Sequence, residues 1–279
     1  MTTEFKVLGP LEVVNGNRVC TPSPAKLRMV LAFLLLNANY AVSLNCLIDE
    51  LWDHDPPKTA VTTVQTYIYQ LRRMATHEKL AGPDPKLIVT RSAGYVLRIE
   101  PGQLDANVFN QLVQQGRTEL GGGRPDAAAA VLRNALGMWT GPVLADVTRG
   151  RLMEGQAIAL DEQRQYALEL RIEADLRLGQ HREMIGELRN LVAMHPFNEW
   201  FHGRLIAALS RAGRRGEALQ AYQAFRVILK TELGLEPTPD FLHLQQEVLA
   251  TRTPRPETQA RSYRWLSGDS VDCERGAGL

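Results

Sequence analysis

The stretch TAVTTVQTYIYQLRRM (residues 59–74) decides how the chain is read. Threonine, valine, isoleucine and tyrosine crowd it, so propensity alone argues against a helix. Periodicity argues for one. At about 100° per residue, Val61, Val64, Ile68 and Leu71 fall in one apolar stripe with Tyr67 on its edge. The opposite side carries Thr62, Thr66, Tyr69 and Arg73, flanked by Thr63 and Gln70. Thr59 stands where an N-cap hydroxyl belongs, and Pro56–Pro57 keep a helix from entering from upstream. The polar face of this amphipathic helix has hydroxyls and an amide where a solvated face usually carries Glu and Lys. An ordinary surface helix is one reading. A DNA-facing helix is the other, because hydroxyls, amides and arginine meet phosphates and base edges.

The neighbouring segments favour the second. Phe5, Val7, Leu11 and Val13 alternate around Gly9–Pro10, and Asn15-Gly16 marks a hairpin turn leading to Val19. PSPAKLRMVLAFLLLNAN (22–39) begins a helix at proline and repeats Leu27, Val30, Leu31, Leu34 and Leu35 at helical spacing. Ser43 caps a second helix, SLNCLIDELW (43–52), with Leu44, Leu47, Ile48 and Leu51 on its inner side. An acidic loop, DHDPPK (53–58), leads into the helix of the opening stretch. LIVTRSAGYVLRIE (87–100) then gives two strand-like runs joined by Ser92-Ala93-Gly94. Strands, three helices and a hairpin in this order predict a winged helix-turn-helix over residues 1–100. The third helix would enter the major groove and the wing would lie over the adjacent minor groove. Thr62, Thr63, Thr66 and Gln70 are then base-reading candidates. Arg72, Arg73 and the Tyr69 hydroxyl are phosphate candidates, and Arg91 stands beside the wing tip, where a guanidinium suits a narrow minor groove.

After Pro101–Gly102 the pattern is helical throughout, so the fold class is mainly α: an α+β winged helix followed by an all-α domain over 101–252. Gly179-Gln180-His181-Arg182-Glu183 recurs as Gly213-Arg214-Arg215-Gly216-Glu217, about 34 residues on, which is the tetratricopeptide period. Gly123-Arg124-Pro125-Asp126-Ala127 is a third, displaced copy of the same turn. Such repeats stack helix hairpins into partner-binding surfaces. Residues 253–279, rich in Pro, Gly, Arg and Ser and without periodicity, read as a disordered tail in which Tyr263 and Trp265 are candidate anchors.

Composition bounds the function. Net charge is +1, and residues 1–100 carry 11 Lys+Arg against 9 Asp+Glu, so any DNA contact depends on a local patch and on dimerisation. Cys20, Cys46 and Cys273 are scattered without metal-ligand spacing, and the N-terminus has no secretion signal. The chain reads as cytoplasmic, with no membrane span, metal or cofactor. It has no HExxH, GxSxG or GxxxxGK motif, and the dispersed histidines include His77, His195 and His243 at helical or helix-end positions, so an enzyme is not expected. The competing reading is a tetratricopeptide interaction scaffold whose winged helix does not bind DNA.

FKVLGPLEVV, PAKLRMVLAFLLLNAN, LIDELWDHDPPKTA, VQTYIYQLRR and TRSAGYVL, in that order, resemble the Streptomyces antibiotic regulatory proteins. The resemblance covers residues 1 to about 250. Those are actinobacterial activators with an OmpR-type winged helix and a bacterial transcriptional activator domain of tetratricopeptide type. Leu27 departs from the family, which usually has a polar residue there, so no first-helix phosphate contact is assigned. The resemblance implies a homodimer on promoter direct repeats that recruits RNA polymerase to a secondary-metabolite gene cluster. It also implies that Asp53, His54 and Asp55, acids unhelpful to DNA binding at such close range, meet a basic surface of the polymerase. A capping or spacing role for that loop is the alternative. The lack of a phosphate loop suggests a small, pathway-specific member.

Overall fold

Alternating apolar residues near the N-terminus form three short antiparallel strands, β1 (Thr3–Lys6), β2 (Glu12–Asn15) and β3 (Arg18–Val19), in spatial order β1-β2-β3. The β2–β3 register pairs Asn15 with Arg18, so the two-residue turn is Gly16-Asn17, one residue later than the expected Asn15-Gly16. Helices α1 (Ala25–Leu36), α2 (Leu44–Trp52) and α3 (Ala60–His77) follow, then a hairpin of β4 (Ile88–Arg91) and β5 (Gly94–Leu97). Beyond it come α4 (Asp105–Gly121), α5 (Pro125–Gly137), α6 (Arg151–Arg177), α7 (His181–Met194), α8 (Glu199–Arg211), α9 (Arg215–Ile228) and α10 (Pro239–Ala250). The structure, a computed structural model, describes residues 3–80 and 87–250. The expected tail, with Tyr263, Trp265 and Cys273, lies outside them. The chain divides into two compact units, Met1–Leu178 and Gly179–Leu279. An α+β start followed by helix alone is the expected class.

In the first unit a single apolar core runs from Phe5 and Val13 of the small sheet through Leu31, Leu34 and Ile68 to Phe109, Leu132 and Met153. Leu27 belongs to this core, which accounts for the apolar residue at that position. Three carboxylates tie the N-terminal elements to the helices that follow. Asp105 is the first residue of α4, and its carboxylate accepts mainly from the exit of β1. Val7 and Leu8 donate their amides to it at 2.9 and 3.0 Å, and Ala106 donates at 2.7 Å. Burial pushes the Asp105 carboxyl up, and those three amides pull it partly back. Asp146 accepts from the Leu11 amide at 2.8 Å and pairs with Arg28. Glu50, on α2 and only 4% exposed, accepts from the amides of Leu152 and Met153 at 2.9 and 3.2 Å. A carboxylate thus satisfies the orphaned amides at the N-terminus of α6, whose own N-cap Gly150 has no side chain to do so.

The second unit stacks α7 on α8 and α8 on α9, with α10 across α8 and α9. Phe225, Tyr222 and Phe241 form its aromatic centre, with Tyr222 stacked on Phe241 at 5.2 Å. The three Gly turns share one backbone conformation. Gly123, Gly179 and Gly213 have φ of 73°, 80° and 79°, a left-handed conformation that a side chain would strain. At two of them the chain closes as a Schellman motif, with Arg124 N–H on the Glu119 carbonyl and Arg214 N–H on the Leu209 carbonyl. Asp126, Glu183 and Glu217 then stand in the first turns of α5, α7 and α9, where a negative charge meets the helix dipole.

Candidate nucleic-acid interface

Helix α3 starts where the prolines release the chain, with the Ala60 amide donating to the Pro57 carbonyl at 2.8 Å. Thr59 occupies the N-cap position, but its hydroxyl caps nothing. The buried stripe is Ala60, Val64, Ile68, Leu71 and Ala75. Val61, which apolarity assigned to that stripe, is 45% exposed. It lies about 100° from Ala60 around the helix, at the rim of the buried arc. Thr62, Gln65, Thr66, Tyr69, Gln70 and Arg73 are exposed, and Thr63 is half-buried. Two of the expected base readers spend their protons internally. Thr63 Oγ1 donates to the Thr59 carbonyl at 2.9 Å and Thr66 Oγ1 to the Thr62 carbonyl at 2.8 Å, the usual recourse of a hydroxyl inside a helix. Outward they present methyl groups and acceptor lone pairs. Gln65 is an exposed residue of this helix that the sequence reading passed over, and Val61 is one that it assigned to the apolar stripe. The same 100° periodicity could have placed Gln65, whereas the exposure of Val61 follows from the packing.

Arg72 departs from its expected phosphate role. It is half-buried, and its Nε donates to the Ile88 carbonyl at 3.0 Å while Nη2 donates to Thr90 Oγ1 at 2.7 Å. The guanidinium also lies over the Tyr95 ring, 5.9 Å from its centroid. It is a strut that holds the wing to α3. On its other side β5 pairs with the segment before α2: Val42 and Tyr95 exchange amide bonds at 2.8 and 2.9 Å. Gly94, at φ 136°, permits this, since a Cβ there would stand 2.0 Å from the Val42 carbonyl oxygen. Arg91 pairs with Gly94 as the last register of the hairpin, so it flanks the Ser92-Ala93 tip and is exposed. Ser43 caps α2 as expected, accepting from the Cys46 amide at 3.1 Å.

The acidic loop emerges where α2 ends. Asp53 donates its amide to the Asp49 carbonyl at 2.8 Å and turns the chain out at φ 53°. Asp53, His54 and Asp55 are all exposed, and the His54 ring is 94% accessible. Among the described residues, no cluster of three or more His, Cys, Asp or Glu side chains could hold a metal, and no helix is long and apolar enough to cross a membrane.

Residues 21–97 match the family described as transcriptional regulatory protein, C terminal, and residues 104–249 match the bacterial transcriptional activator domain. Regulatory protein DnrI of Streptomyces peucetius is 38% identical over 249 residues, which is 88% of this chain and 92% of that protein. The chain belongs to the Streptomyces antibiotic regulatory protein family. Like other Streptomyces antibiotic regulatory proteins, it is a DNA-binding transcriptional activator. Regulatory protein AfsR of Streptomyces coelicolor is 37% identical over 247 residues, 88% of this chain but only 24% of AfsR. The structure of Mycobacterium tuberculosis EmbR in complex with a low-affinity phosphopeptide superposes with a TM-score of 0.83 at 31% identity. That match covers 88% of this chain and 65% of the EmbR chain.

Proposed function

We propose that this activator lays α3 in the major groove of promoter DNA and the β4–β5 wing over the adjacent minor groove. It binds direct repeats as a homodimer on DNA, and residues 1–100 and 101–252 divide the labour between DNA and partners. The observation that carries this reading is the outer face of α3. Over 18 residues the helix contains no Asp or Glu, and Thr62, Tyr69, Gln70 and Arg73 are exposed with no intramolecular side-chain partner among the described residues. Acid is what a phosphate-lined groove excludes. Arg91 at the wing tip suits a narrow minor groove. The exposed Asp53, His54 and Asp55 loop meets a basic surface of RNA polymerase, and the target is a secondary-metabolite, antibiotic-type gene cluster in the cytoplasm of the host. Two repeats about one helical turn apart would set two such loops on one side of the DNA.

The test uses the full chain and promoter fragments from its own genomic neighbourhood. Specific retention should fall steeply with salt, because releasing counterions into a saltier bulk gains less entropy. Asp53→Ala combined with Asp55→Ala should keep promoter binding while transcription with purified polymerase drops. Loss of binding together with transcription would make the loop structural. Equal retention of unrelated duplexes at every salt concentration would defeat the DNA reading itself.

A further inference from the structure

Beside the residues already given roles, α3 exposes a second line, Val61 and Gln65, one turn apart and leading to Tyr69. Val61 is 45% exposed, and Gln65 has no intramolecular hydrogen bond among the described residues. Eleven residues make about three turns, so Val61 stands in line with Arg72, on the flank of the helix that faces the wing. Elsewhere on the helix Thr63 and Thr66 cannot donate freely, because they give their protons to carbonyls of their own helix. Gln65 keeps an amide that can donate and accept at once. In the major groove adenine presents that complementary pair, the N6 amino group and the N7 acceptor, while thymine presents a C5-methyl. A lone exposed valine on a protein surface is common. This one sits in the first turn of a helix without acids, next to an unpaired glutamine, where a helix entering a groove comes closest to base edges.

We infer that Gln65 reads an adenine through N6 and N7, and that Val61 contacts the methyl of a thymine nearby in the same half-site. One helical turn rises about 5.4 Å and a base step about 3.4 Å, so the two bases lie within about two steps of each other. This rests on the reading of α3 as the groove helix and adds its sequence preference.

The test is a base-analogue scan on the protected promoter duplex, measured by fluorescence anisotropy with the full chain. Deoxyuridine in place of one thymine per half-site, which removes only the methyl, should weaken wild-type binding about fourfold. Val61→Ala should bind the native duplex about fourfold more weakly and show no further loss with deoxyuridine. A 7-deaza-adenine at one position should cost the wild type about fivefold or more, and Gln65→Ala should be indifferent to it. If either variant melts early, the wild-type scan still decides: no sensitive thymine–adenine pair within two steps overturns the inference. Undiminished analogue sensitivity in the folded variants overturns it as well. Both results leave salt-dependent promoter binding intact, whereas absence of any specific binding would remove the reading beneath it.

Discussion

Arg72 and Arg73 are adjacent in sequence but point about 100° apart around α3, and that rotation separates their roles. Arg73 is exposed without an ion pair among the described residues, whereas Arg72 bridges the Ile88 carbonyl and the Thr90 hydroxyl. Arg73→Ala should weaken binding to every DNA sequence alike and reduce the salt slope by about one counterion, read from binding isotherms at several salt concentrations. Arg72→Ala should instead lower stability by roughly 1–2 kcal/mol in urea denaturation, with the salt slope unchanged. Arg72→Lys should not restore it, because an ammonium lacks the planar fork that reaches both partners. A one-counterion loss in Arg72→Ala would return it to the phosphate contacts.

At the scale of elements, α8 carries a buried histidine at the aromatic centre of the second unit. His202 stacks on Phe225 with ring centroids 4.1 Å apart, and its Nε2 faces the Pro196 carbonyl at 3.1 Å. A carbonyl can only accept, so Nε2 carries the proton and Nδ1 is bare. Burial lowers its pKa from 6.5 to about 4, with the Pro196 carbonyl opposing the shift. Between those values the unfolded chain binds a proton that the folded state refuses. The stability contribution is therefore full above pH 6.5 and is lost as pH falls toward about 4, by up to roughly 3 kcal/mol. Denaturation midpoints measured from pH 7 to pH 4 should show this slope in the wild type and lose it in His202→Gln. An unchanged slope in the variant would assign the titration to another group.

For the molecule as a whole, packing does not stop where the motifs divide. The core that begins at Phe5 continues to Ala174, and Glu50, Asp105 and Asp146 stitch the sheet and α2 to α4, to α6 and to the segment before it. A fragment ending at residue 100 would expose one side of that core and strip Glu50 of its partners. It should lack a cooperative thermal transition that residues 1–178 retain, as followed by circular dichroism. In the full chain Glu50→Ala should cost about 2–3 kcal/mol, since it removes charge-assisted bonds to two otherwise unsatisfied amides. A cooperatively folded 1–100 fragment would show that these links are dispensable.

Much of this was legible in one dimension. Period and punctuation depend on neighbours three or four residues apart, so α1, α2, α3, the wing hairpin and the Gly-turn helix pairs follow from the residues themselves. So does the acid-free face of α3, because charge is a property of composition. Other features depend on residues far apart in the chain, and only the tertiary structure decided them. Apolarity put Val61 in the stripe, but the folded chain leaves it 45% exposed at the rim of the buried arc. Charge put Arg72 on a phosphate, but β4, about sixteen residues downstream, supplies the acceptors that claim it. Asp105 opens its own helix, yet its carboxylate accepts from amides 97 and 98 residues earlier. A side chain's local options are written in sequence, whereas its partner is whichever group the folded chain brings within 3 Å.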